Sequence, residues 1–297
     1  MSYSRYSALG RYTFLWFIAP AVLVVVAFTA YPSFYGVFIS FTNIHLAYVD
    51  WRLVGFDNYV RLFAWPALPQ VLLNTAVFVG SVVALQLTLG LAIALLLNQA
   101  MYGRRLFRSI SILPWVIPAV VTGMMFQQMF SGSSLGIMNT VIGWFGLPPR
   151  NWLSNPTEAM LVMISSLVWR GVPLSIILQL GGLQTINKEL YEAASIDGAS
   201  RWQQLRYITL PSLKPILLIN VILATSGSLN HVDIPLALTG GGPGRATEVL
   251  ALSLYKQGFQ SLDAAYASTI ATVILAINFI LMITYLHLLR KRDEIAG

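Results

Sequence analysis

Long apolar blocks alternate with short polar ones along the whole chain. Six blocks are long enough to cross a bilayer, which takes about 20 mostly apolar residues in a helix. They are Phe14–Ser40, Val71–Asn98, Ile110–Phe130, Ala159–Leu180, Ile216–Leu238 and Ala264–Leu289. Hydrocarbon cannot satisfy unpaired backbone N–H and C=O groups, so each block is predicted to be helical. The fifth is the most polar, carrying Asn220, Ser226, Ser228, Asn230, His231 and Asp233. The fold class expected from this pattern is an all-α membrane protein with six transmembrane helices.

Composition points the same way. Of 297 residues, 57% are hydrophobic and 10% charged, whereas a soluble domain carries about 25% charged residues. The net charge of +7 could suggest nucleic-acid binding, but its placement excludes that reading. Arg5 and Arg11 precede the first block. Arg104, Arg105 and Arg108 lie between the second and third. Lys188, Arg201, Arg206 and Lys214 lie between the fourth and fifth, and Arg290, Lys291 and Arg292 follow the sixth. The alternate loops hold fewer: Arg52, Arg61, Arg150, Arg245 and Lys256. The positive-inside rule then places both termini in the cytoplasm, as an even number of spans requires. The basic region and apolar run at the N-terminus read as an uncleaved first span. The run is about twice the length of a signal core, and no A-x-A site ends it. Cysteine is absent, which excludes a disulfide framework, a thiol nucleophile and thiolate metal sites.

The loops divide the chain into an N-terminal segment with the first span (1–40), an outer loop (41–70), a transmembrane core (71–290) and a cytoplasmic tail (291–297). The outer loop carries Trp51, Phe56, Tyr59 and Trp65 and is expected at the membrane surface, where aromatic rings favour the interface. Pro148, Pro149 and Pro156, then Thr239–Thr247, mark two further outer turns. The longest inner loop, 181–213, is too elaborate for a simple connection. Asn187 can cap a short helix, with Glu189 in its first turn. Gly198 allows a turn. Ser200 with Gln203 forms a capping-box pattern for a second short helix, and Pro211 and Pro215 mark its end.

That inner loop contains Glu192-Ala193-Ala194-Ser195-Ile196-Asp197-Gly198 and, nine residues on, Ile208-Thr209-Leu210-Pro211. The string resembles the EAA signature of bacterial ABC importer permeases, with the spacing of that signature kept without a gap. Leu183-Gln184, Lys188-Glu189-Leu190-Tyr191 and Ala199-Ser200 resemble its flanks. The resemblance implies a type I importer permease fold in the cytoplasmic (inner) membrane. It implies that Glu192, Ala193, Ala194, Asp197, Gly198, Ile208, Leu210 and Pro211 dock in a cleft of a cytoplasmic ATPase dimer. A second stretch, Leu238-Thr239-Gly240-Gly241-Gly242-Pro243-Gly244 followed by Ala246-Thr247-Glu248-Val249-Leu250, is similar to the outer loop of carbohydrate importers. The match is to the first permease of a pair, as in maltose and glycerol-phosphate systems. Trp169 with Pro173 fits the same pattern. The large extra outer domain of the maltose permease is missing. The resemblance further implies a second permease subunit, an extracytoplasmic solute-binding protein and contact with membrane lipid. It implies no cofactor on this chain, because ATP and Mg are used by the partner ATPase, and no enzymatic activity of its own.

Two other motifs fail on context. Gly240–Thr247 is loosely like a phosphate-binding loop but lacks the lysine. Gly132-Ser133-Ser134-Leu135-Gly136 satisfies G-x-S-x-G without the strand–turn–helix it needs. The three histidines are far apart and no H-E-x-x-H occurs, so no metal site is expected. Polar residues inside spans are better candidates, since a charge at the bilayer centre costs about 2.5–3.5 kcal/mol on insertion scales and such groups face a cavity or a partner. Ser226, Asn230 and Asp233, at i, i+4 and i+7, would share one helix face. With Arg170 and Gln127 they form the expected substrate path, or else pair structurally. His231 would point to a different face. The function expected is ATP-driven import of a sugar or polyol by alternating access. The alternatives are a glycerol phosphodiester or phosphate as cargo, or an ion-gradient-driven secondary transporter.

Overall fold

The computed structural model describes residues 17–48, 51–99, 102–133 and 136–293. Arg5, Arg11, the start of the first block at Phe14, Ser134–Leu135 and the last four residues of the tail lie outside the described residues. Among those described, every regular element is helical, and one isolated bridge joins Thr42 to Leu53.

The elements are α1 (Phe17–Ile39), α2 (Asp57–Phe63), α3 (Leu68–Asn98), α4 (Arg104–Val116), α5 (Ala119–Met129) and α6 (Ile137–Gly143). They continue with α7 (Pro156–Thr185), α8 (Lys188–Ile196), α9 (Arg201–Leu229), α10 (Asp233–Leu238), α11 (Leu250–Tyr255) and α12 (Ala264–Asp293). Five helices are individually long and apolar enough to span: α1, α3, α7, α9 and α12. The sixth predicted span is not one helix. Ile110–Phe130 is split between α4 and α5, which bend by 95°. Pro118 is the cause: it disfavours helical backbone at the residue before it, and Ile117 accordingly sits at φ −70°, ψ 130°.

The fifth predicted span is also corrected. Its helix begins far earlier, at Arg201, and stops at Leu229; residues 233–238 form the separate α10. Pro235 explains the stop, because in a continuous helix its ring would strike the carbonyl four residues back, at His231. At the other end, Pro211 does not terminate a short helix. The chain runs through it by widening one turn, Leu205–Thr209, where the Leu210 N–H bonds to the Leu205 carbonyl. A five-residue turn of this kind relieves the proline clash without ending the helix. Likewise α7 extends to Thr185, so the predicted inner loop begins inside a helix.

The described residues fall into two compact units, one drawn from Met1–Trp65 and Leu254–Val273, the other from Pro66–Ser253 and Ile274–Gly297. In the larger unit α3 lies along α7, α9 packs on both, and α10 packs on α5. Phe78, Val82, Met163, Leu213, Ile234 and Leu238 are fully buried there. Lipid offers no hydrophobic drive between helices, so close backbone approach and interhelical hydrogen bonds do more of the holding. A Cβ added at Gly123 would meet the Cβ of Ala237 at 2.8 Å, so only glycine lets α10 seat on α5. Gln86 Nε2 donates to the Leu167 carbonyl (3.1 Å), Gln179 Nε2 to the Leu87 carbonyl (3.3 Å) and Ser175 Oγ to Asn220 Oδ1 (3.0 Å). Such bonds contribute about 0.6 kcal/mol each in a membrane protein, and here they fix the register of α3, α7 and α9.

Candidate functional site

The segment from Lys188 to Pro211 is a helical hairpin. Asn187 Oδ1 accepts the Glu189 N–H (3.1 Å) at the start of α8. Ser200 and Gln203 form the expected capping box: Ser200 Oγ accepts from the Gln203 N–H (3.3 Å) and Gln203 Oε1 from the Ser200 N–H (2.7 Å). Between the helices Gly198 turns the chain at φ +79°, a left-handed conformation that glycine adopts freely. Gln204 Nε2 donates to Ser195 Oγ (2.9 Å), and the Tyr191 and Thr209 hydroxyls bond at 2.9 Å. The two helices are therefore cross-tied. No residue of α8 is buried. Glu192, Ala193, Asp197, Gly198 and Pro211 are exposed, while Ala194, Ile208 and Leu210 are half-buried. Ile196 is 87% exposed, with Trp202 and Tyr207 near it in sequence and also exposed.

Both arms of the hairpin lead to one cleft. α7 supplies Leu167, Arg170, Gly171, Leu174 and Ser175, α9 supplies Asn220, Leu223, Ala224, Gly227 and Ser228, and the break after α9 supplies Asn230, His231 and Asp233. The cleft holds about 320 Å³ and is lined elsewhere by Gln86, Trp115 and Ala119. Its polar groups are amides, a hydroxyl pair, an imidazole, one cation and one carboxylate, with an indole alongside.

Of the five predicted path residues, three meet here: Arg170, Asn230 and Asp233. They do so by a route different from the one expected. Asn230 ends α9, and its Nδ2 donates to the Ser226 carbonyl (2.8 Å), while Asp233 opens α10. Ser226, Asn230 and Asp233 thus share no helix face. Ser226 instead lines a separate apolar cavity of about 160 Å³ with Ile222, Asn278 and Tyr285. Gln127 is also elsewhere, its Nε2 donating to the Leu238 carbonyl (3.2 Å) and tying α5 to the end of α10. Arg170 Nε donates to the Ile117 carbonyl (3.1 Å), an acceptor left free where Pro118 breaks the helix. Among the described residues no ion pair joins Arg170 to Asp233.

His231, Gln86, Ser175 and Asn220 line the cleft although the residue pattern did not single them out for it. Pro235 was the signal that could have found His231, since its ring disfavours a regular helix through the His231 carbonyl four residues back. The three amide and hydroxyl residues carry no such signal, because polar side chains in apolar helices tie helices together as often as they line a path.

Residues 86–294 match the family of binding-protein-dependent transport system inner membrane components. This chain belongs to that family. The matched range contains the hairpin and every residue that lines the cleft, from Gln86 to Asp233. Among relatives of this permease, the trehalose/maltose transport system permease protein MalF of Thermococcus litoralis is 35% identical over 280 residues, 93% of each chain. The arabinooligosaccharides transport system permease protein AraP of Halalkalibacterium halodurans is 32% identical over 282 residues, 93% of this chain and 88% of that one. In three dimensions the permease superposes on a chain of a bacterial ABC transporter that imports the acidic polysaccharide alginate. The TM-score is 0.81, with 23% identity, covering 96% of this chain and 98% of the other. The all-helical type I importer permease architecture is thereby shown for this inner-membrane protein.

Proposed function

We propose that this permease forms half of the pore of an ATP-driven importer for a di- or oligosaccharide or a related polyol. One observation carries the reading. The exposed hairpin joins the inner ends of α7 and α9, and the cleft is walled by the middle of α7 (Leu167–Ser175) and the far end of α9 (Asn220–Ser228), so a displacement of the hairpin is delivered along those helices to the cleft walls. α9 has 29 residues, which at 1.5 Å per residue makes a rod of about 43 Å. A cytoplasmic ATPase dimer grips Glu192–Pro211, with Glu192 and Asp197 available to basic groups and Ala193 and Ala194 allowing close approach. ATP and Mg reside on that dimer. Both termini face the cytoplasm, a second permease completes the pore, and an extracytoplasmic binding protein delivers cargo. A neighbouring solved complex contains an alginate ABC transporter with a pentasaccharide-bound periplasmic protein, which supports that arrangement.

The cargo class is read from the cleft and the relatives. Sugar hydroxyls both donate and accept, and Asn230, Asp233, Ser228 and His231 provide complements. Trp115 offers an apolar ring face. Asn220 Nδ2 is buried without a partner of its own and is a donor free for a hydroxyl. Arg170 gives a phosphorylated polyol a second claim on the same cleft. The test is reconstitution of the full complex, with ATP hydrolysis measured against binding protein loaded with trehalose, maltose, arabinooligosaccharide or glycerol phosphate. Stimulation by a saccharide-loaded protein is expected. Asn230→Ala should abolish transport while basal hydrolysis survives, and Glu192→Ala should uncouple hydrolysis from transport. Hydrolysis indifferent to every loaded protein, or full transport by both variants, refutes the reading.

A further inference from the structure

The short helix α2 has an unusual division of faces. Its inner side is anchored by polar contacts within its own unit. Asn58, 9% exposed, donates through Nδ2 to the carbonyls of Ser40 (2.9 Å) and Thr42 (2.7 Å), just past the end of α1. The Tyr59 hydroxyl bonds to Ser40 Oγ at 2.7 Å. Arg61 Nη1 lies 2.7 Å from Asp263 Oδ2, with its guanidinium 4.2 Å above the Tyr266 ring. The other oxygen of Asp263 accepts the Tyr266 N–H (3.0 Å) in the first turn of α12. The Ala265 N–H donates to the Ile44 carbonyl (2.9 Å), which closes the loop between the two spans. So α2 is pinned where α1 ends and α12 begins, and both of those helices are long and apolar enough to span.

The outer side of α2 is apolar. Val60 and Phe63 share one face of the helix, and Phe56, the residue that caps its start, lies one turn before Val60 on the same side. Phe56, Val60 and Phe63 are 69%, 66% and 68% exposed, respectively, while Leu62 on the inner face is fully buried. Two rings and a branched aliphatic in one stripe are costly to leave in water, and such a stripe marks an interaction surface. An apolar stripe on a short helix held at the level where two spans surface matches an interfacial helix. Aromatic side chains concentrate at that level.

We infer that the Phe56–Val60–Phe63 stripe lies in the headgroup–acyl boundary of the phospholipid bilayer, in the leaflet where α1 and α12 surface. The occupant of this face is lipid, because the bonds of Asn58, Tyr59 and Arg61 hold the stripe at the level where α1 ends and α12 begins, the level at which aromatic side chains meet the headgroups. Its effect is to fix the depth of that end of both spans. On the charge topology above, the leaflet is the outer one.

The sequence has no cysteine, so single labels can be placed without removing others. Val60→Cys and Phe63→Cys, each carrying a nitroxide, are to be measured in the assembled transporter in phosphatidylcholine–phosphatidylglycerol nanodiscs. Collision with oxygen should exceed collision with a water-soluble nickel chelate severalfold at both sites. A bimane attached to the Val60→Cys variant should be quenched severalfold by phospholipid brominated on its acyl chains. Nickel collisions in excess of oxygen would place the stripe in water and overturn the inference. Loss of access to both reagents would show protein over the stripe, a partner permease or the binding protein, and would overturn it equally. Ile280→Cys, within α12 and 62% exposed, checks the spanning assignment on which the inference rests; nickel access there would refute that assignment itself.

Discussion

Replacing Gly198 separates two reasons for a glycine in the hairpin turn. The residue sits at φ +79°, and a Cβ added there meets nothing within 4 Å. The penalty for Gly198→Ala within this chain is therefore backbone strain alone, about 1–2 kcal/mol for a left-handed L-residue. The turn it closes rests on two bonds, Gly198 N–H to the Ser195 carbonyl (3.1 Å) and Ala199 N–H to the Ala194 carbonyl (2.8 Å). A loss of that size lowers the ratio of closed to open turn by roughly 5–30-fold. Asparagine tolerates the left-handed region, so Gly198→Asn should retain most of the closed population. The assay is transport-coupled ATP hydrolysis in the reconstituted complex, paired with amide hydrogen exchange at Gly198 and Ala199. Alanine should speed exchange and reduce coupling, and asparagine should largely restore both. If alanine changes neither, the conformational argument is wrong. If both variants lose coupling with unchanged exchange, the glycine serves close approach of a partner surface instead.

Other perturbations read other parts of the molecule. Asn139 is buried, donating to the carbonyls of Ser131, Ser133 and Arg150 and accepting from the Arg150 N–H and the Trp152 indole. Asn139→Leu should destabilise by about 3 kcal/mol, since several groups lose partners worth about 1 kcal/mol each, read as a lowered thermal midpoint in detergent. Asn74 Nδ2 donates to the carbonyls of Arg245 (2.7 Å) and Glu248 (3.0 Å). Asn74→Ala should cost about 2 kcal/mol and open the Gly240–Gly244 loop to proteolysis before the rest of the chain. Arg61→Lys should cost no more than about 1 kcal/mol, because the Asp263 pair is more than half exposed on the arginine side and screened; double-mutant cycles with Asp263→Asn measure it.

Much of this protein follows from the chain alone. The need to pair every backbone group in lipid makes apolar blocks helical regardless of their neighbours, so α1, α3, α7 and α12 could be read directly. The caps at Asn187 and Ser200 are equally local, because side chain and backbone lie within three residues of each other. The hairpin at Glu192–Pro211 was legible for the same reason: its signature is a fixed spacing in one short segment. What could not be read was how prolines act in context. Pro118 and Pro235 break helices, whereas Pro211 is absorbed by a widened turn, and a carbonyl exposed at a break can take a partner distant in sequence. For Ile117 the partner is Arg170, 53 residues away. The cleft is likewise a product of tertiary structure. Helical periodicity put Ser226, Asn230 and Asp233 on one face, but Ser226, inside α9, lines another cavity, and the other two lie beyond the break after Leu229. That break gathers His231, Asn230 and Asp233 beside Arg170, Ser175 and Asn220. Local periodicity determines which residues are helical and apolar; only the packing of distant helices decides which polar residues face each other.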